Sequence, residues 1–352
     1  MHTTNHSSLP GITESINRLA VLALFLLVLS SFLSLCWGET RLVNQAPHRK
    51  IGISQIIDHT ALNTVRTGIL EALQEQGYQE GVNLTILSEN AQGNMALSTQ
   101  IATKLASAGL DVAVAISTPS AQTLLHAIHK QGSPLPIVFT AVTDPKTAKL
   151  EPTETFMPIT GISDAPNLPV LVQLFGKLLP HLKKLGLMYN PSESNSVATA
   201  LELKKLLALK NIEVIEVTVN QTAEVAQAVQ TLMGKVDALY FPQDNTIVAA
   251  LQTVIQIAQQ SPTALPIVLP IYSEDPYVTR SVLAMVGYDY RDIGYDTGLL
   301  IARILKGDKA SEIPIQRPTH LKVLVNQTEA QKLKLIIPEK LEISDIPIIK
   351  YH

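Results

Sequence analysis

From Lys50 onward the apolar positions follow two alternating rhythms. Short runs of consecutive apolar residues read as buried strands, and between them apolar residues recur three and four apart, which reads as helix. The run Ile51–Ile57 predicts the first strand. Residues 60–77 predict the first helix, with Leu62, Val65, Ile69, Leu70 and Leu73 on one face and Gly77 as its stop. Strands follow at Val82–Leu87, Val112–Ile116 and Ile137–Val142, with helices over 95–107 and Ser120–Lys130 between them and a short strand at Ile159–Ile162. The rhythm then restarts. Strands Leu185–Tyr189, Glu213–Thr218, Ala238–Phe241, Pro266–Leu269 and Val282–Val286 alternate with helices over 194–210, 222–233 and 245–260. A helix from Asp289 through Ile304, a strand Leu321–Val325 and a last helix near Gln327–Leu335 complete the body.

Strands about 25–30 residues apart, joined through helices, imply parallel pairing with right-handed crossovers. Two such series predict an α/β protein of two Rossmann-like lobes with parallel sheets. No Gly/Ser linker separates them, so the lobes join through short crossings near Ile162–Asp164, Gly287–Asp289 and Ile313–Thr319, which together make a hinge. The expected lobes are 49–163 with 288–312 and 164–287 with 313–345.

Composition narrows the function. The body of roughly 310 residues is long enough for two cores. The chain is 46% hydrophobic and 16% charged, and 27 Lys and Arg stand against 30 Asp and Glu for a net charge of −3. That balance, without a basic patch, excludes a nucleic-acid partner; Lys183-Lys184 and Lys204-Lys205 read as solvated helix faces. The single cysteine, Cys36, leaves the body without a disulfide or a cysteine metal site. Cys36 sits in residues 1–38, where Arg18 precedes the apolar stretch Leu19–Leu35 and small residues follow. Three readings stay open: a signal cleaved after Gly38, a lipoprotein signal, or a retained anchor over residues 19–35, an apolar run of about 17 residues. Each places the body outside the cytoplasmic membrane, in the periplasm or its equivalent, with 39–48 as a tether.

In open parallel sheets the ligand crevice lies beyond the carboxyl ends of the strands. There the sequence sets Gln55, then Ser117, Thr118 and Ser120, then Thr143 and Asp144 in the first lobe. In the second it sets Asn190, Asn195 and Ser196, then Asp244 and Asn245, then Ser273, with Asp289 on the crossing. Ser117–Ser120 leads straight into a helix, which suits either a carboxylate or an ordinary cap. Asp144, Asp244 and Asp289 suit either an ammonium group or turns. Taken together they describe a pocket for a zwitterion, with Tyr189, Tyr272, Tyr288 and Tyr290 available as aromatic walls. Catalytic patterns are missing: no phosphate loop or nucleophile elbow follows a strand, and His126 and His129 have no third ligand nearby. Neither an enzyme, a cofactor nor a metal site is expected.

Several ordered segments carry a family likeness: Ile53–Ile57, Ser88–Gly93, Ala115–Gln122, Phe139–Pro145, Tyr189–Ser196, Pro242–Thr246, Gly287–Tyr290 and Ala302–Gly307. Across roughly residues 50–340 the chain resembles the tryptophan-type substrate-binding proteins of ABC transporters. The resemblance implies a type I periplasmic-binding fold and capture of a small amino acid, often an aromatic one, for delivery to an ABC permease in the inner membrane. It also implies that the Ser117–Ser120 loop holds the carboxylate, and that Asp244, helped by Asn190, Asn195 and Asp289, holds the amino group. A monomer is expected. The rival reading is a ligand-binding receptor module of the same shape that feeds a membrane sensor.

Overall fold

Strands buried on both faces form the centre of the first of two sheets. The computed structural model describes residues 47–151, 158–260, 264–338, 340–343 and 346–351; the apolar segment 19–35, Cys36 and most of the expected tether lie outside them. The chain runs β1 (Arg49–Gln55), α1 (Thr60–Glu75), β2 (Leu84–Asn90), α2 (Met95–Ala106), β3 (Val112–Ile116), α3 (Thr118–Lys130), β4 (Ile137–Thr140) and β5 (Ile159–Ile162). The strands pair in the order β2-β1-β3-β4-β5, all parallel. Central β3, Val-Ala-Val-Ala-Ile, is buried throughout because helices cover both faces. Gly77 takes a φ of +89° just past α1, the left-handed stop expected there.

The second series runs α4 (Leu168–Leu178), β6 (Lys184–Tyr189), α5 (Ser194–Ala208), β7 (Glu213–Thr218), α6 (Val225–Leu232) and β8 (Ala238–Tyr240). It continues through α7 (Asn245–Val248), α8 (Leu251–Gln260), β9 (Ile267–Leu269), α9 (Pro276–Ser281) and β10 (Ala284–Gly287). After α10 (Tyr290–Leu305) come β11 (Lys322–Asn326), α11 (Gln327–Lys332) and β12 (Ile348–Tyr351). These seven strands pair in the order β12-β11-β10-β9-β8-β6-β7. Every pairing is parallel except β10 with β11, which is antiparallel because the chain re-enters this sheet from the opposite end.

Helix α10 follows β10 in sequence but packs on the first sheet, against α1, β4 and β5. Glycines permit the close approach: a Cβ at Gly294 would stand 2.0 Å from the Val65 carbonyl oxygen, and one at Gly68 would stand 2.3 Å from that of Arg291. The two helix backbones therefore touch directly. The crossings expected from the sequence are where the chain changes sheets, between β5 and β6, between β10 and α10, and between α10 and β11.

Candidate functional site

The carboxyl ends of β1, β3 and β4 lie along one edge of the first sheet, and α3 begins at that edge. Ser117, between β3 and α3, has a φ of +88°, and Ala141, just past β4, has a φ of +51°; strained non-glycine backbone of this kind concentrates at binding sites. The Ser117 side chain makes no capping bond to the helix, although a Ser before a helix normally would. The hydroxyls of Ser117, Thr118 and Ser120 are all buried and lack a hydrogen-bond partner, as are Ser54 Oγ and Gln55 Oε1 at the end of β1. The first turn of α3 thus combines free helix N–H groups with unengaged hydroxyls, a donor wall.

The second sheet supplies the opposite wall. Helix α3 meets α5 across the gap. Asn195, in the first turn of α5, donates Nδ2 to the Gln243 carbonyl at 2.8 Å, and Gln243 donates Nε2 to the Asp164 carbonyl at 3.1 Å. Those bonds fix both amides and leave Asn195 Oδ1 and Gln243 Oε1 buried without a donor. Asp164, on the crossing after β5, accepts the Tyr290 hydroxyl on Oδ2 at 2.6 Å, while its Oδ1 meets no donor at hydrogen-bonding geometry.

Deeper in the second lobe, two carboxylates tie the strand-end loops together. Asp244 accepts Ile247 N–H at 3.0 Å, capping α7, and the Asn190 N–H at 2.6 Å. Glu193 accepts from the backbone and side chains of both Asn245 and Thr246, the closest being Asn245 Nδ2 at 2.6 Å. Asn245 Oδ1 in turn stands 3.4 Å from His59 Nε2, a contact from the second lobe to the first.

Between the walls lies a cavity of about 20 Å3, whose lining includes polar Thr118, Asp164, Asn195, Gln243, Asp244 and Asn245 and apolar Leu62, Ala141, Val248, Ile271 and the Tyr290 ring. It shares His59, Ala61, Val248, Ile271 and Tyr290 with an outer groove of about 930 Å3, and Asn245 with a second groove of about 520 Å3.

Of the residues singled out in the sequence, Thr118, Asn195, Asp244 and Asn245 line this cavity, and Ser117 and Ser120 flank Thr118 on α3. Asn190 and Ser196 are buried beside Asp244. Thr143 is buried with its side chain at Asp164. Gln55 donates Nε2 to Asn63 Oδ1 at 2.8 Å. Asp144 turns back on its own loop, where Thr147 N–H and hydroxyl bond its two oxygens at 3.0 and 2.5 Å. Ser273 and Asp289 face the larger groove, and Asp289 is held by Lys322 at 2.7 Å and by Arg291 N–H. Among the tyrosines only Tyr290 reaches the cavity. Asp164, Gln243, Glu193 and His59 were given no binding role from the sequence, although Gln243 and Glu193 lie in strand-end segments expected to face the crevice. Asp164 lies on a crossing the sequence had marked, but it ends no helix stripe and follows a strand of only four residues.

Burial dominates the electrostatics. It pushes the Asp164 carboxyl up, against the hydrogen bonds from Tyr290 and Thr143 that favour the charged form. Burial, then the charge of Asp244, pushes Glu193 up to about 8. Burial brings His59 down to about 4 despite its contact with Asn245. Among the described residues no group of three or more His, Cys, Asp or Glu is arranged to hold a metal ion, and no helix is long and apolar enough to cross a membrane. His126 and His129 are exposed on α3.

The geometry is that of a binding cleft, and the relatives agree. A tyrosine-binding protein of Clostridioides difficile is 34% identical over 315 residues, 89% of this chain and 88% of that one. The structure of an ABC domain in complex with L-Trp from Streptococcus pneumonia is 32% identical with a TM-score of 0.74, covering 83% of this chain and 96% of that one. The ligand-free, open structure of a substrate-binding protein with adhesive properties from Clostridium difficile is 33% identical with a TM-score of 0.59, covering 86% and 100%. The family model described as ABC transporter substrate binding protein matches residues 50–346. Proteins of this family are extracytoplasmic, bind small molecules and work with permeases rather than catalysing reactions. Matched from the first strand through β11 and α11, the chain belongs to the ABC transporter substrate-binding proteins.

Proposed function

We propose that this protein captures an aromatic amino acid as a zwitterion between its lobes and hands it to a permease. The observation that carries this reading is the partition of unengaged buried groups. Of the residues lining the cavity, Thr118 brings an unengaged hydroxyl at the start of α3, with those of Ser117 and Ser120 beside it in sequence, while Asp164, Asn195 and Gln243 each bring a buried oxygen without a donor. A carboxylate satisfies the first set and an ammonium the second. The apolar residues Val248, Ile271 and the Tyr290 ring line both the cavity and the larger groove and suit a bulky side chain. The tyrosine and L-Trp named for two relatives support an aromatic one.

A cavity of about 20 Å3 has room for one water and not for an amino acid, so entry requires the lobes to separate. Closer similarity to the L-Trp complex than to the open, ligand-free relative, at nearly equal identity, supports a closed arrangement here. The moving bodies in this reading are 49–163 with 288–312 and 164–287 with 313–345, acting as a monomer tethered to the membrane through residues 19–35. Ligand drives closure only by binding the closed form more tightly than the open one.

Mass spectrometry of ligand retained through gentle purification tests the proposal, followed by a thermal-shift screen of free amino acids, sugars and nucleosides. A true ligand at about 100 times its Kd stabilises the fold by about 2.7 kcal/mol. A shift with L-tyrosine or L-tryptophan is expected; a shift with a sugar and with no amino acid overturns the reading.

A further inference from the structure

We propose that Asp164, on the crossing between the two sheets, is the acid that recognises the ligand's ammonium group and thereby couples capture to lobe closure. This rests on the amino-acid reading above.

Asp164 is 2% exposed and lines the same cavity as Asn195 and Gln243, and its Oδ1, like their amide oxygens, is buried without a donor. Neither amide can flip to put nitrogen in place of its oxygen without losing the carbonyl it donates to. Three buried acceptors on one small cavity, none with a donor, are costly to leave unmatched. A hydroxyl brings a single proton; an ammonium brings three, and its charge is compensated by the carboxylate. Burial raises the Asp164 carboxyl, as expected of a buried acid with no cation beside it.

The other candidate acids are engaged elsewhere. Asp144 binds Thr147 and Asp289 binds Lys322, both away from the cavity. Asp244 does line it, but one oxygen caps α7 and the other holds the Asn190 N–H, so its contacts lie within the second lobe. Asp164 alone among these has an oxygen without a donor.

Its position supplies the coupling. Asp164 lies on the crossing after β5, and its partner Tyr290 opens α10 directly after the crossing from β10. An ammonium held on Oδ1 is therefore one carboxylate away from a hydrogen bond that joins two of the three crossings, while Asn195 and Gln243 bring in the second lobe.

The experiment is titration calorimetry on the full chain, using L-tyrosine and L-tryptophan against the matched 3-arylpropionates, which lack only the ammonium. Wild-type protein is expected to prefer the amino acid. Asp164→Asn keeps the shape, removes the charge, and is expected to weaken the amino acid by about 100-fold while changing the arylpropionate by less than about threefold. Unchanged amino-acid affinity in Asp164→Asn, or equal losses for both compounds, overturns the assignment alone. A wild-type chain that binds neither amino acid overturns the amino-acid reading itself. Should Asp164→Asn fail to melt as a folded protein, Tyr290→Phe replaces it, since that variant keeps the acid and removes its partner. An amino-acid affinity lowered about tenfold with the arylpropionate unchanged then supports the role, and equal losses refute it.

Discussion

Replacing Asp244 by Ala separates a structural acid from a ligand-reading one. The side chain is fully buried, caps α7 through Ile247 N–H at 3.0 Å and receives the Asn190 N–H at 2.6 Å. Loss of the cap costs about 1 kcal/mol. The buried Asn190 N–H left without an acceptor costs about 1–3 kcal/mol more. A smaller opposing effect comes from Glu193, whose carboxyl is raised by burial first and by the charge of Asp244 second, so removing that charge relieves the pair. After that offset the net is a destabilisation of about 1–3 kcal/mol, which for units of this size lowers Tm by roughly 2–12 °C. Asp244→Asn keeps an acceptor for one of the two N–H groups and is expected to fall about half as far. Thermal unfolding at pH 7, followed by circular dichroism without ligand, gives the comparison. A Tm for Asp244→Ala within about 1 °C of wild type refutes the reasoning, because two buried N–H groups cannot lose their acceptor at no cost.

Other predictions follow from the packing and the buried charges. Gly294→Ala should destabilise by at least about 2–3 kcal/mol in urea unfolding, since its new methyl meets the Val65 carbonyl oxygen at 2.0 Å. Gly176→Ala, on α4 with nothing within 4 Å of the added Cβ, should instead stabilise by about 0.5–1 kcal/mol. Tyr240→Phe removes a buried hydroxyl with no partner and should leave the melting temperature unchanged or slightly raised. Glu193 holds its proton in the folded state up to about 8, against 4.5 unfolded, so its contribution is complete below 4.5 and lost as pH rises through about 8. His59 is shifted the other way, to about 4 from 6.5, so its contribution is complete above 6.5 and lost as pH falls toward 4. Urea midpoints across pH should therefore decline on both flanks; Glu193→Gln should flatten the alkaline side and His59→Asn the acid side.

Much of the fold was legible because parallel strands and their cover helices write opposite periodicities. β3 is observed at the predicted residues, and α1 begins at the predicted Thr60. The failures have physical reasons. Helix α4 is apolar nearly all round, with Leu168, Val170, Leu171, Val172, Leu174, Phe175 and Leu178 buried, so it shows no polar face by which to recognise it. The predicted helix 245–260 is two helices, α7 and α8. Strand β12 is four residues long and gains its strand character only by pairing with β11. In the site, the Ser117–Ser120 turn was visible because a helix start announces itself. The roles of the aspartates were not, because whether an acid caps a turn or faces a cavity depends on which way the side chain leaves the backbone. Asp144, Asp244 and Asp164 look alike in sequence, yet Asp144 closes on Thr147 three residues on, while Asp244 and Asp164 are held by Asn190 and Tyr290 far along the chain.

The glycine-to-backbone contact between α1 and α10 has a mechanical consequence. Side chains can slip past one another when two helices slide, but backbones in direct contact at Gly68, Gly294 and Gly298 have no such lubricating layer. α10 is thereby clamped to the first sheet, and torsional freedom on the crossing from β10 is confined to the two residues that precede it, Tyr288 and Asp289. A connection that short leaves about four soft backbone torsions between β10 and α10, so any relative movement at this crossing is a turn about Tyr288 and Asp289 and not a slide of α10 along α1.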